Sequence, residues 1–244
     1  MIKRVLRAIA WTTGLCVGLS IVLVIVFRWL PVYYTPLMIL RGMEALSAGE
    51  SFKIHHQWVQ LEEMSPYLPV AVMASEDQKF MTHQGFDFEA IESAARHNAS
   101  GGQVRGASTI SQQTAKNVFL LPSRTWLRKG LEAYFTVLIE LFWSKERIME
   151  VYLNSIEMGP NIYGAEAVAK LHFGCRARDL HRGDCALIAA TLPNPLRYSS
   201  LRPTSHVRKR QRQILRQMRF FPITGEDALL PNSATSRKRR NESD

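Results

Sequence analysis

The sequence is poor in cysteine, with three residues in a chain of 244. This number excludes a disulfide-rich scaffold and a protein built around several zinc sites. Four common catalytic signatures are also absent: the glycine-lysine phosphate loop, the HExxH zinc motif, paired CxxC motifs and the GxSxG nucleophile motif. Long alternations of apolar and polar residues, which are typical of strands, are missing as well. The sequence therefore predicts a mainly α-helical fold.

Acidic residues are scarce near the C-terminus. The chain has 31 Lys+Arg, 21 Asp+Glu and a net charge of +10, and residues 185–244 hold 12 of the basic but only 4 of the acidic side chains. A basic end attracts nucleic acid, anionic lipid or phosphorylated ligands. The 46% of hydrophobic residues excludes wholesale disorder. The length suits one domain with attachments, or two small domains.

Near the N-terminus, residues 8–27 form a long stretch without any charge. About 20 apolar residues cross a bilayer core as a helix. A cleaved signal peptide has a shorter apolar core followed by small residues, whereas bulky residues from Arg28 to Pro31 follow here. A helix this apolar on every side needs a larger soluble core than about 200 residues readily give. We therefore predict a retained transmembrane helix over residues 8–28.

Basic residues flank this predicted span unequally, with Lys3, Arg4 and Arg7 before it and Arg28 after it. Positive residues favour the cytoplasmic side, so residues 1–7 are predicted to be cytoplasmic and the remainder to lie across the membrane. That topology argues against a nucleic-acid partner, because the basic end would lie in the wrong compartment.

The remainder of the chain is predicted to have three parts. They are a juxtamembrane segment over 29–60, a helical domain over 61–221 and a disordered basic tail over 222–244. For the basic amphipathic helix predicted over 206–219, two surroundings are open. Its arginines can meet anionic headgroups, or its apolar side can pack on the core with the arginines in water.

Four clusters of polar residues interrupt the apolar helices. Glu76 and Asp77 directly follow an apolar helix, where carboxylates are costly unless they are solvated, paired or used. Lys116 shares a helix face with Gln112 at a spacing of four residues. For Glu76 and Asp77 the alternative to catalysis is capping or ion pairing, and for the cluster from Arg128 to Glu132 ordinary helix surface is the commoner case. The candidate site residues are Glu76, Asp77, Ser108, Gln112, Gln113, Lys116, Asn117, Arg128, Lys129 and Glu132.

Taken in order, the clusters resemble the four signature motifs of the peptidoglycan glycosyltransferases. The resemblance covers roughly residues 60–220. The chain as a whole most resembles the monofunctional form of these enzymes, which has no transpeptidase domain. Four ordered motifs are highly specific, where any one would be weak. The motifs are Glu76-Asp77-x-x-Phe80-x-x-His83-x-Gly85, Gly106-x-Ser108-Thr109-Ile110-Ser111-Gln112-Gln113-x-x-Lys116-Asn117, Arg128-Lys129-x-x-Glu132 and Lys145-x-x-Ile148-Met149-Glu150-x-Tyr152-Leu153-Asn154.

This resemblance implies a lysozyme-like helical glycosyltransferase domain behind one transmembrane helix. The implied enzyme polymerises lipid II in the bacterial inner membrane, with its catalytic domain in the periplasm. It joins an acceptor GlcNAc hydroxyl to the MurNAc anomeric carbon with inversion and releases undecaprenyl diphosphate. The implied partners are lipid II, the growing glycan strand, membrane lipid and other cell-wall synthesis proteins, but not nucleic acid.

The resemblance also assigns roles. Glu76 is implied to be the general base, and Glu132 the second essential acid. Glu132 either orients the cations or helps to hold a divalent cation, Mg²⁺ or Mn²⁺, and no cofactor is certain. Buried polar groups need internal partners, so Glu150 and Asn154 are interpreted as structural. The implied substrate-binding residues are Lys116, Arg128, Lys129, Ser108, Gln112, Gln113, Asp77 and Asn117.

Two other functions fit parts of the sequence. A membrane-anchored lytic enzyme of lysozyme type also needs an essential glutamate in a helical fold, but hydrolysis of a glycan has no diphosphate for the basic residues to hold. A membrane-tethered binding module would show no turnover and would lose binding as salt rises. A disulfide between Cys175 and Cys185 is also open, because sequence does not give their separation in space.

Overall fold

The computed structural model describes residues 1–49, 51–101, 106–123 and 125–221. The predicted basic tail over 222–244 lies outside the described residues. The helical content is 65% and the strand content 3%, which confirms the mainly helical prediction. The α-helices are α1 (Ile2–Phe27), α2 (Pro36–Ser47), α3 (Tyr67–Glu76), α4 (Phe88–Ala99), α5 (Ile110–Phe119), α6 (Trp126–Phe142), α7 (Lys145–Ser155), α8 (Ala165–Val168), α9 (Arg182–Thr191) and α10 (Ser205–Gln217). The strands are β1 (His55–His56), β2 (Glu157–Gly159) and β3 (Ile162–Tyr163).

Hydroxyl and carboxylate side chains fix where most of the long helices begin. Such a side chain accepts a hydrogen bond from a backbone N–H of the first turn, which has no partner inside the helix. The helix α6 thus begins at Trp126 and α7 at Lys145. The capping residues are Thr35 for α2, Asp87 for α4, Thr109 for α5, Thr125 for α6, Ser144 for α7 and Thr204 for α10.

The core is built around α3, which is buried from Leu68 to Ala74. This helix packs against α9 and α10, while α5 packs against α6 and α7. A helix enclosed on all sides needs no polar face, which explains why residues 68–74 carry only apolar side chains. Because Glu76 is the last residue of α3, the core fixes its position.

A small three-stranded sheet lies beside the helices, with the strand order β1-β3-β2. His55 pairs in parallel with Ile162, and Glu157 pairs in antiparallel fashion with Tyr163. The sequence analysis predicted no strands. Segments of two or three residues are too short for alternating polarity to be read from sequence.

The N-terminal helix α1 has 26 residues and a mean hydropathy of 2.3 in its most apolar window, so its length and composition suffice to cross a membrane. Its first part is exposed, but its last turns pack on α6, where Val24 is fully buried. Ser20 lies 2.8 Å from the Tyr134 hydroxyl, and the Trp143 indole N–H donates to the Val24 carbonyl at 2.8 Å. The apolar helix is therefore part of the packed fold at its C-terminal end.

The basic helix α10 turns its apolar side to the core. Val207, Ile214 and Met218 are buried, and the helix packs on α9 and α3. Gln211 also donates to the Gly183 carbonyl at 2.8 Å. Of the two surroundings left open by the sequence, packing on the core holds for the apolar side.

All three cysteines lie in the described residues and are free thiols. Cys185 is buried, with its sulfur 3.7 Å from the Ser65 hydroxyl, and burial raises the pKa of this thiol to about 12. Cys175 is half-buried. The structure thus contains no disulfide between Cys175 and Cys185.

Candidate active site

Glu76 ends α3 with its carboxylate largely buried, 13% exposed. One carboxylate oxygen, Oε2, accepts a hydrogen bond from the Gln113 amide at 3.3 Å, and the other, Oε1, accepts one from the Ser75 hydroxyl at 3.2 Å. Gln113 is held in turn, because the buried Tyr152 hydroxyl donates to its amide oxygen at 3.3 Å. Both oxygens of Glu76 thus have protein partners that fix the plane of the carboxylate.

Asp77, the next residue, is buried and bound on both oxygens. Its Oδ2 accepts from the Ile110 backbone N–H at 2.9 Å, and His83 Nε2 lies 2.9 and 3.1 Å from its two oxygens. The Gly85 N–H donates to His83 Nδ1 at 3.1 Å, which leaves Nε2 to carry the proton towards Asp77. The substrate contact predicted for Asp77 stays a prediction. In the structure Asp77 joins the first motif to the start of α5.

The start of α5 is fixed by a reciprocal cap between Thr109 and Gln112. The Gln112 side-chain oxygen accepts from the Thr109 N–H at 3.0 Å, and the Thr109 hydroxyl accepts from the Gln112 N–H at 3.2 Å. This cap uses the Gln112 carbonyl and leaves its amide nitrogen for other partners. Ser108 is exposed just before the helix, and Asn117 is buried within it. The substrate contacts predicted for these residues stay predictions.

Lys116 lies one turn beyond Gln113 on α5. The spacing of three residues puts both side chains on one face, about 4.5 Å apart along the helix axis. Burial lowers the pKa of Lys116, while the Glu132 and Glu76 carboxylates act in the opposite direction. Within the described part of the chain, no carboxylate lies within 4.0 Å of its ammonium. Lys116 is a partly buried cation that is available to an anionic ligand.

Glu132 is almost fully buried near the start of α6 and contacts two cations. Arg128 donates to its Oε2 at 3.1 Å, and the Lys129 ammonium contacts its Oε1. The Arg128 Nε is buried without a hydrogen-bond partner in the described residues. Arg128, Lys129 and Lys116 carry three positive charges, and the Glu132 carboxylate neutralises one of them. The net positive charge makes this end of the site suited to an anion.

The fit of a divalent cation can be judged from the same contacts. Both oxygens of Glu132 face cations, and in the parts of the chain described no group of three or more His, Cys, Asp or Glu side chains could hold a metal ion. Mg²⁺ needs several oxygen ligands at short distance. The residues around Glu132 do not by themselves form such a site, and the metal requirement stays a prediction.

Residues of the fourth motif bind neighbouring backbone segments. The Lys145 ammonium donates to the His83 carbonyl at 2.7 Å and pairs with Glu140 at 2.7 Å. The Asn154 amide donates to the Val59 carbonyl at 2.8 Å and accepts from the Val59 N–H at 3.0 Å. Glu150 accepts from the Leu61 N–H at 3.3 Å. These contacts fit the structural interpretation of Glu150 and Asn154, which stays a prediction.

Two residues at the site were missed by the sequence analysis. Arg210 of α10 lies 3.7 Å from Glu76 Oε1, and Tyr152 orients Gln113. A signal for Arg210 was present, because it follows Val207 by three residues and precedes Ile214 by four, which places it on the packed side of the helix. Tyr152 belongs to the fourth motif, but its contact with Gln113 depends on how α7 packs against α5, which the motif alone does not show.

Comparison with known proteins agrees with this geometry. Residues 44–219 match the family model described as Transglycosylase. The biosynthetic peptidoglycan transglycosylase of Bacteroides thetaiotaomicron is 56% identical over 221 residues, which cover 91% of this chain and 89% of that protein. Proteins of the same name from Pseudomonas putida and Pseudomonas aeruginosa are 51% and 46% identical, over 89% and 94% of this chain and 91% and 97% of theirs.

With this helical fold, the family match and these relatives, the protein is a peptidoglycan glycosyltransferase. The chain belongs to the Transglycosylase family of peptidoglycan glycosyltransferases.

Proposed function

We propose that this protein polymerises lipid II into peptidoglycan glycan strands at the surface of the bacterial inner membrane. The acceptor is the GlcNAc C4 hydroxyl of one lipid II, and the donor is the MurNAc anomeric carbon of the growing strand. The α-linked diphosphate is replaced by a β-(1→4) glycosidic bond, and undecaprenyl diphosphate leaves. The relatives named above carry the coarser activity in their names.

Glu76 is the proposed general base. A sugar hydroxyl is a poor nucleophile, and a placed base that takes its proton during bond formation contributes about 10²–10⁴-fold. The hydrogen bonds from Gln113 and Ser75 fix the direction of the carboxylate. These contacts support a carboxylate that is oriented before the acceptor arrives.

The proposed diphosphate site consists of Lys116, Arg128 and Lys129. Negative charge grows on the diphosphate as the glycosidic bond to it breaks, and preorganised cations stabilise that charge. Glu132 contacts Arg128 and Lys129 and therefore sets their directions. In an inverting displacement the acceptor and the leaving group lie on opposite faces of the anomeric carbon. The separation of Glu76 from this cation cluster along α5 suits that geometry.

A membrane location is supported by two apolar surfaces. The helix α1 is long and apolar enough to span a bilayer. Next to it, α6 exposes apolar side chains, with Trp126 92%, Leu127 76% and Leu141 70% exposed. Large exposed apolar patches typically mark membrane or partner contacts. Contact with the bilayer gives the enzyme access to a substrate whose lipid tail stays in the membrane.

A single observation carries the proposal: α5 brings Gln113 to Glu76 and Lys116 into the field of Glu132, so one rigid helix joins the proposed base to the proposed diphosphate site. A lytic enzyme that hydrolyses glycan would not need the proposed diphosphate site, because its substrate has no diphosphate. Incubation with lipid II and with finished glycan separates the two, because the proposed enzyme consumes only lipid II.

The test of the base is Glu76→Gln, which keeps the shape and removes the proton acceptor. We expect polymerisation of lipid II to fall by about 10²-fold or more. The matched control is Glu92→Gln on α4, whose carboxylate makes an exposed pair with Arg96. A Glu76→Gln protein that polymerises lipid II at the wild-type rate would refute the proposed base.

A further inference from the structure

We propose that Arg210, on the C-terminal basic helix α10, is a positioning residue for the Glu76 carboxylate. This inference rests on the proposed function, in which Glu76 is the general base. Arg210 lies outside the four polar clusters that carry the other site residues, and it is 134 residues distant in sequence from Glu76.

The Arg210 guanidinium approaches Glu76 directly and through Ser75. Its Nη2 lies 3.7 Å from Glu76 Oε1 and donates to the Ser75 hydroxyl oxygen at 3.3 Å. A serine hydroxyl has one proton and two lone pairs. Because Arg210 occupies a lone pair, the Ser75 proton is directed to its two acceptors, Glu76 Oε1 at 3.2 Å and the Ala189 carbonyl at 3.3 Å. Arg210 thus acts on one oxygen of Glu76, while Gln113 binds the other.

The packing of α10 delivers this side chain. Val207 and Ile214 are buried on either side of Arg210 along the same helix face, so the helix cannot rotate without exposing them. The Arg210 Nε is buried without a hydrogen-bond partner in the described residues, although the side chain as a whole is 35% exposed. A buried unsatisfied donor is costly. A functional contact with Glu76 is a reason for this arginine to occupy the packed face of the helix.

The polar and charged groups around Glu76 come from four parts of the fold. Asp77 directly follows α3, Lys116 lies on α5, Tyr152 on α7 and Arg210 on α10. Among these, Arg210 is the cation that forms an ion pair with the carboxylate. Loss of Arg210 is therefore expected to leave a base that is less firmly oriented.

The experiment compares Arg210→Ala and Arg210→Lys with the matched control Arg208→Ala in the full chain. Arg208 is exposed on the same helix and contacts Gln211 at 3.2 Å. We measure kcat, KM for lipid II and the thermal unfolding temperature. For Arg210→Ala we expect kcat to fall about tenfold, which is less than the 10²–10⁴-fold of the whole base. KM should stay within about twofold, because no substrate contact is lost.

One further result is expected. Arg210→Lys should recover part of kcat, because it keeps the charge but loses the forked geometry. Arg208→Ala should match the wild type in every measurement.

Several outcomes overturn the inference. An increase in KM with unchanged kcat would mean that Arg210 binds substrate itself, and an unaltered kcat would remove any action on Glu76. If Arg210→Ala fails to fold, Arg210→Lys and Ser75→Ala decide the matter, since each should lower kcat and wild-type kcat in both would refute it. An inactive Glu76→Gln beside a fully active Arg210→Ala contradicts this inference alone, whereas an active Glu76→Gln contradicts the proposed function.

Discussion

Replacement of Arg147 by alanine should release the apolar helix α1 from the domain. Arg147 lies on α7, and its guanidinium donates to the Phe27 carbonyl at 2.8 and 3.2 Å and to the Leu30 carbonyl at 2.5 Å. It also pairs with Glu150 and lies over the Trp58 ring at 5.2 Å. These carbonyls belong to the end of α1, where backbone acceptors have no partner inside the helix.

The expected loss follows from these contacts. Breaking a buried pair by removing one partner costs about 3–5 kcal/mol, and hydrogen bonds to charged groups contribute about 1.5–3 kcal/mol each. The Arg147 and Glu150 side chains are 12% and 15% exposed, so we expect the lower end, about 3 kcal/mol. In a domain of this size 1 kcal/mol corresponds to about 2–4 °C, which predicts an unfolding temperature lower by about 6–12 °C.

Two assays in detergent micelles test this prediction. Thermal unfolding reports the loss of stability, and tryptic cleavage after Arg28 reports the opening of the junction. If cleavage requires local opening, a loss of 3 kcal/mol raises its rate about 10²-fold. Arg147→Lys should show an intermediate effect, and Arg178→Ala, at an exposed position, should show none. Equal unfolding temperatures and equal cleavage rates in Arg147→Ala and wild type would refute the coupling of α1 to the domain.

Two other substitutions test the site. Because burial lowers the pKa of Lys116 below its ordinary 10.5, the unfolded chain binds this proton more tightly, so Lys116→Met should raise the unfolding temperature at pH 7 while abolishing polymerisation. The gain should shrink as the pH rises towards 10.5, and a variant less stable than wild type at pH 7 would contradict this. Gly85 has a φ of +89°, and an added Cβ would lie 2.8 Å from Thr136 Cγ2. Gly85→Ala should therefore cost about 2 kcal/mol in chemical denaturation, and an unchanged midpoint would refute the strain.

Local signals made much of the fold predictable. Thr125 and Ser144 are helix-capping residue types followed by long apolar or amphipathic patterns, and both cap helices in the structure. The pairing of Arg128 with Glu132 followed from a spacing of four residues, which puts both on one helix face. These features depend on neighbours within one or two turns, which a sequence displays directly.

Contacts between distant elements were not predictable in the same way. Arg147 binds the carbonyls of Phe27 and Leu30, and every residue type supplies a carbonyl, so no sequence pattern marks them. Arg210 reaches Glu76 only because α10 packs beside α3. The two-residue strands β1 and β3 depend likewise on tertiary pairing rather than on their own composition.

The contact between Ser20 and Tyr134 determines how deep α6 lies in the bilayer when α1 spans it. Ser20 precedes Arg28 by eight residues, which is about 12 Å along a helix. With α1 as the membrane span ending at Arg28, the flank of α6 beside Tyr134 lies below the water boundary, among the acyl chains. Under the proposed function, a polyprenyl-linked sugar then enters by lateral diffusion within its own leaflet, so its tail is not transferred into water.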